Sequence, residues 1–107
     1  MNNSIKFVYI TVPNDEVASS IGRHLLEKHL AACINCLPQM NSMYWWEGKI
    51  ENGSEVVMIA KTVASKVDEL IAEIETIHPY NTPCALVLNI ESGSKDYVDW
   101  LKASIFA

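Results

Sequence analysis

Tyr44-Trp45-Trp46-Glu47-Gly48-Lys49-Ile50-Glu51-Asn52-Gly53-Ser54-Glu55-Val56-Val57-Met58-Ile59-Ala60-Lys61 organises this chain. No helix-start signal precedes it, and Asn52-Gly53 lies between two apolar runs. That dipeptide is the pattern of a two-residue type I′ hairpin turn. A turn there sets Glu51 opposite Ser54, Trp46 opposite Ile59 and Trp45 opposite Ala60. Side chains alternate along a strand, so the adjacent indoles of Trp45 and Trp46 point to opposite sides. One can enter the protein's own core. The other lands on the opposite face, where the usual cover is another chain. Val56 to Ala60 is apolar without alternation, which predicts burial on both faces.

Outward from the hairpin, Ile5-Lys6-Phe7-Val8-Tyr9-Ile10-Thr11-Val12 reads as a first strand, rich in β-branched and aromatic residues. Pro13-Asn14-Asp15-Glu16 supplies a break, an N-cap at Asn14 and acids for a first turn. Val17, Ile21 and Leu25 then recur at helical spacing, predicting a helix over 15–29. Cys33 to Leu37 begins the next strand. Pro38 interrupts it, and the strand resumes at Met40, so a bulge or bend is expected. Ser65-Lys66-Val67-Asp68 resembles a capping box. Val67, Leu70, Ile71, Ile74 and Ile77 predict a second helix over 66–77, ended by Pro79. Cys84 to Ile90 reads as a fourth strand, and Tyr97, Val98, Leu101 and Ile105 mark a short C-terminal helix. The order is β-α-β-β-α-β plus a helix, an α+β ferredoxin-like sandwich in one domain over 1–107.

The composition narrows the function. The chain has 107 residues, half of them hydrophobic, and a formal net charge of −5. Lys and Arg total 8, with no basic stripe, so nucleic-acid binding lacks electrostatic support. Met1-Asn2-Asn3-Ser4 has no charged start and no apolar segment of signal-peptide type, and no apolar run approaches the ~20 residues needed to span a bilayer. A soluble, cytoplasmic protein without a membrane partner is expected. Three cysteines, Cys33, Cys36 and Cys84, read as free thiols.

Few residues suggest chemistry. Cys33-Ile34-Asn35-Cys36 has redox spacing, but it follows a helix instead of opening one, so no helix dipole lowers a thiol pKa. An offset of three also puts the two thiols on opposite faces of a regular strand. Two small buried hydrophobes are the simpler reading. Adding His78 and Cys84 gives four ligands of the types zinc takes, and copper(I) suits the thiolates. His78, at a predicted helix end beside Tyr80 and Asn81, reads either as a functional residue near a cleft or as a cap on a terminal carbonyl. His24 and His29 are five apart, not the four of a helical metal pair, and read as surface residues. Glu69, Glu73 and Glu75 read as a solvated face. The four glycines are isolated, so no phosphate-cradling loop exists, and no nucleophile elbow appears.

Leu30-Ala31-Ala32-Cys33, the 44–50 block, Lys61-Thr62, His78-Pro79-Tyr80 with Pro83, and Asp96-Tyr97-Val98-Asp99-Trp100-Leu101 fall in the order and spacing of the CutA family. The chain resembles these divalent-cation tolerance proteins from about Phe7 to Ile105. The resemblance implies a ferredoxin-like protomer, a tight homotrimer similar to that of the nitrogen-regulatory signal proteins, and a link to copper and other divalent metals. It implies no enzymatic role. Some members carry a cysteine where Ile10 stands, a histidine where Ile77 stands and a glutamate where Cys84 stands, so of that set His78 remains. The expectation is a non-enzymatic homotrimer that binds a metal ion or small ligand at clefts between subunits. The metal candidates are His78, Cys33 and Cys84, and the interface candidates are Tyr44, Trp45 and Trp46. The competing expectation is a trimeric scaffold for a protein partner.

Overall fold

The computed structural model describes residues 3–107. Met1 and Asn2, the start of the segment read above for a signal peptide, lie outside the described residues.

Strand β1 spans Ile5–Val12, as its composition predicts. Asn14 then takes an extended backbone, and its side-chain oxygen accepts the Val17 N–H at 2.9 Å, capping helix α1, Asp15–Glu27. The helix stops two residues before its predicted end because His29 turns left-handed at φ 57°. The His29 N–H returns to the Leu26 carbonyl and the Leu30 N–H to Leu25, a Schellman closure with histidine where glycine is usual.

Strands β2, Cys33–Trp46, and β3, Lys49–Val63, form the hairpin. The turn is not at Asn52-Gly53. It is at Glu47-Gly48, with φ values of 49° and 78°, so both central residues have the positive φ that type I′ requires. Trp46 therefore faces Lys49 and Trp45 faces Ile50, while Asn52 and Gly53 sit mid-strand opposite Met43 and Ser42. The physical reason is partner length. A turn at Asn52-Gly53 would set the strand from Cys33 to Leu37 opposite residues that belong to the following helix, leaving its hydrogen bonds unpaired. The expected irregularity at Pro38 is present. Leu37 pairs with Val57 and Met40 with Glu55, and Gln39 adopts φ 61°. This bulge inserts one residue into β2 and reverses its facing, so Met40, Ser42, Tyr44 and Trp46 share a side with Cys33, Asn35 and Leu37.

Helix α2, Val67–Ile77, follows a 3-10 turn at Ala64–Lys66. The predicted capping box does not form. Lys66 occupies the cap position with helical backbone angles and no side-chain cap bond, because the chain enters the helix through that 3-10 turn. Strand β4, Ala85–Asn89, and helix α3, Lys95–Ile105, complete the chain.

The sheet order is β2-β3-β1-β4, with every pairing antiparallel. With α1 and α2 on one face, this is the ferredoxin-like arrangement. The covered face buries Val8, Ile10, Val12, Val56, Met58 and Ala60 against Ala18, Ile21, Leu25, Leu70 and Ile74. Each fully buried Leu or Ile there contributes about 1.5–3 kcal/mol. Gly22 lets α1 approach β2 closely, since a Cβ there would stand 3.2 Å from the Ile34 side chain. Helix α3 lies on the opposite face, where Leu101 and Ile105 pack on Ile5 and Val63.

β1 reaches β3 only from Val63 to Val56. Beyond that, residues 40–46 and 49–55 pair solely with each other, and the hairpin projects from the body. The molecule measures 44 × 25 × 23 Å. Exposed on this arm are Met43, Tyr44, Trp45, Trp46 and Ile50, with Trp45 at 74%.

Candidate functional site

The base of the arm meets the loop between α2 and β4 in a cleft of about 850 Å³. From the sheet come Tyr9, Met40, Tyr44, Trp46 and Glu55. From the loop come Tyr80 and Cys84. Alternation explains the sheet contribution, because Tyr9, Met40, Tyr44, Trp46 and Glu55 all lie on the face that α1 and α2 leave open.

His78 positions the loop. Pro79 ends α2, and His78 turns to an extended backbone while its N–H still reaches the Ile74 carbonyl. The side chain is buried, at 7% exposure. Its Nε2–H donates to the Thr11 carbonyl at 2.7 Å, and Nδ1 accepts the Tyr80 N–H at 3.1 Å. Those two bonds fit the neutral Nε2–H tautomer. The ring also lies against Tyr80, with centroids 4.7 Å apart. His78 thus ties the end of α2 to β1. It caps its own helix through the backbone N–H and not through the side chain, whose two ring nitrogens are both engaged elsewhere in the protomer.

Tyr80 carries the loop across to the arm. Its hydroxyl donates to Glu55 Oε2 at 3.1 Å. Burial, then the Glu55 carboxylate, pushes the Tyr80 phenol up to about 12. The Tyr9 hydroxyl donates to Met40 Sδ at 3.5 Å.

The structure does not bring the predicted metal candidates together. Cys84 lines the cleft, while Cys33 sits opposite Lys61, away from it. Among the described residues, no group of three or more His, Cys, Asp or Glu is placed to hold a metal ion. Cys33 and Cys36 fall on opposite faces of β2, and all three thiols are free. Burial and nearby Asp15 push the Cys36 thiol up, away from the reactive thiolate.

One surface reading is corrected, and His29 stays at the surface with one added contact. Glu73 is not simply solvated: it accepts from His24 Nε2 at 2.9 Å and from Lys28 Nζ, joining α2 to α1. His29 Nδ1 donates to the Ser104 carbonyl at 3.1 Å, tying the end of α1 to α3. Sequence reasoning also missed Glu55 and Tyr9 in the cleft. Their shared strand face was a usable signal, but only once the true turn was known.

The model of the CutA1 divalent ion tolerance protein family matches residues 6–104. A divalent-cation tolerance protein CutA from Archaeoglobus fulgidus is 46% identical over 99 residues, covering 92% of this chain and 96% of that one. The solved periplasmic divalent cation tolerance protein CutA of Archaeoglobus fulgidus superposes with a TM-score of 0.92 at 44% identity, covering 94% of this chain and 98% of the other. CutA1 from Oryza sativa superposes with a TM-score of 0.93 at 37% identity, over 96% and 94% of the two chains. With sequence and fold matched over nearly its whole length, the chain belongs to the CutA1 divalent ion tolerance protein family.

Proposed function

We propose that this protein is a non-enzymatic homotrimer whose subunits join along the β2–β3 arms and that binds a metal ion or small ligand in the cleft at each arm's base. The observation that carries the assembly is the arm itself. It presents Met43, Trp45 and Ile50 on one side and Tyr44 and Trp46 on the other, all exposed. An indole buries about 200 Å², which at ~25 cal/mol/Å² contributes up to about 5 kcal/mol per protomer. Cyclic closure of three chains covers every copy of the patch.

The metal reading draws on the family's description and on sulfur in the cleft. Cys84 and Met40 line it, and soft ligands of this kind suit copper(I). One protomer alone does not complete such a set, so neighbouring subunits would supply the remaining donors. A cytoplasmic location remains part of this proposal, supported by three free thiols. Among the described residues no helix is long and apolar enough to cross a membrane. The alternative is a trimeric scaffold for a protein partner, favoured if the cleft binds nothing.

Light scattering tests the assembly: a species three times the 12.0 kDa chain is expected, and a 12.0 kDa species at micromolar concentration overturns it. Calorimetric titration with copper and zinc, on wild type and Cys84→Ser, tests the metal. Heat that persists unchanged in the variant removes Cys84 from the site.

A further inference from the structure

The cleft is chemically one-sided. Tyr9, Tyr44, Trp46 and Tyr80 give it four aromatic rings, and among the described residues of the protomer Glu55 is its only Asp or Glu and no Lys, Arg or His lines it. Tyr44 reaches in over the backbone of Gly53, where an added Cβ would stand 3.6 Å from its hydroxyl oxygen. That is ordinary van der Waals contact, so the spacing locates Tyr44 over the strand without requiring glycine there. Among the described residues, the carboxylate of Glu55 accepts one hydrogen bond, from Tyr80.

The classes of ligand can be weighed on these facts. An anion meets Glu55 and no cation. A neutral apolar ligand covers the Glu55 carboxylate and strips its water without offering a hydrogen bond or a charge in its place. A divalent metal needs several N, O or S donors in a closed set, and among the described residues none is assembled. A cation with an apolar body answers both features, since its charge meets the carboxylate and its alkyl groups lie on ring faces, whose quadrupole attracts positive charge. The volume of about 850 Å³ is in the range of small-molecule sites, roughly 300–1,000 Å³. Burial is the larger cause of the raised Tyr80 phenol and favours neither charge, but the smaller Glu55 contribution is a negative field that favours a positive ligand.

We infer that the cleft takes a small organic ammonium ion, with its charge set against Glu55 and its alkyl groups against Tyr44, Trp46 and Tyr80. This rests on the cleft being the ligand site, and it names the ligand's class.

The test is a nuclear magnetic resonance titration of the full chain, following the backbone amides of Glu55 and Tyr80. The probes are tetramethylammonium chloride and tert-butanol, its neutral near-isostere, with light scattering on the same sample. Tetramethylammonium should give saturable shifts, with tert-butanol at least about tenfold weaker. Glu55→Gln should weaken tetramethylammonium by about tenfold, and Trp46→Leu by about fivefold, with the β1 amides unmoved in both. Equal binding of tert-butanol, absence of saturation, or displacement of the probe by copper or zinc at lower concentration overturns the inference. A trimer without saturable shifts overturns this reading and leaves the assembly standing. A 12.0 kDa species with saturable shifts does the reverse.

Discussion

Strand β3 is two structures in sequence. Near the helices it carries Val56, Met58 and Ala60 at 4% exposure or less; at its start, Ile50 is 61% exposed. Its partner β2 repeats the contrast, with Ile34 packed on the core while Trp45, on the same side of the sheet, is 74% exposed. Both ends are apolar and both are strand, so composition does not separate them. What differs is cover. The body has α1 and α2 over one face and α3 over part of the other, while the arm extends beyond all three. One hairpin thus serves as a core element at one end and as a sticky surface at the other.

The sharpest way to separate the two ends is to cut each in turn. Met58→Ala, in the covered part, should lose about 2–5 kcal/mol of unfolding free energy, read by denaturant titration with circular dichroism. An arm that proved equally costly to the isolated protomer would erase the distinction. Trp45→Ala should leave the protomer's circular dichroism intact while weakening assembly by roughly 2–3 kcal/mol per protomer, seen as a concentration-dependent loss of mass in light scattering. Trimer mass and midpoint both unchanged would show the exposed indole is not an interface residue.

His78 joins the body to the cleft beside the arm. His78→Ala removes bonds to the Thr11 carbonyl and the Tyr80 N–H and should cost about 1–3 kcal/mol, with the Tyr80 amide becoming exchangeable. Undiminished protection at Tyr80 would mean that other contacts hold the loop. The tip offers a finer comparison. Gly48→Ala places a side chain at φ 78° and should cost about 1 kcal/mol, whereas Gly53→Ala meets no such backbone strain and should cost less. The reverse ranking would return the turn to Asn52-Gly53.

The smallest effect lies wholly in the body. Glu73 is held below the usual carboxylate range by bonds from Lys28 and His24. A lowered folded pKa stabilises the fold above the ordinary carboxylate value and loses that contribution as pH falls through the lowered value. Glu73→Gln should therefore lower stability slightly at neutral pH and flatten the acid limb of the profile, the two proteins converging as pH falls below about 4.5. An unchanged acid limb would show that the α1–α2 ion pairs are too solvated to matter.

Much of this was legible in the chain. β1 was bounded correctly because seven of its eight residues are β-branched or aromatic and Pro13 follows them. The start of α1 was legible because Asn14 caps it locally. The cleft was half legible. Tyr80 and Asn81 were placed at a cleft beside His78 because they are close in sequence, but Glu55 and Tyr9 arrive through strand register. Register failed because two glycine-bearing dipeptides compete for one turn. Asn-Gly has the stronger local preference, and Glu47-Gly48 leaves every strand residue a partner.

The sequence by itself determined the order of elements, the alternation that sends Trp45 and Trp46 to opposite sides, and the family. Those depend on local propensity, on the period of two along a strand, and on motifs read in line. Only the tertiary structure decided where the hairpin turns, that the bulge at Pro38-Gln39 reverses the facing of β2, that His78 spends both nitrogens on the protein's own backbone, and that Glu55 meets Tyr80. Each of these is a pairing between distant segments. It is set by which backbone hydrogen bonds and apolar faces can be satisfied together, and no single stretch of chain records that.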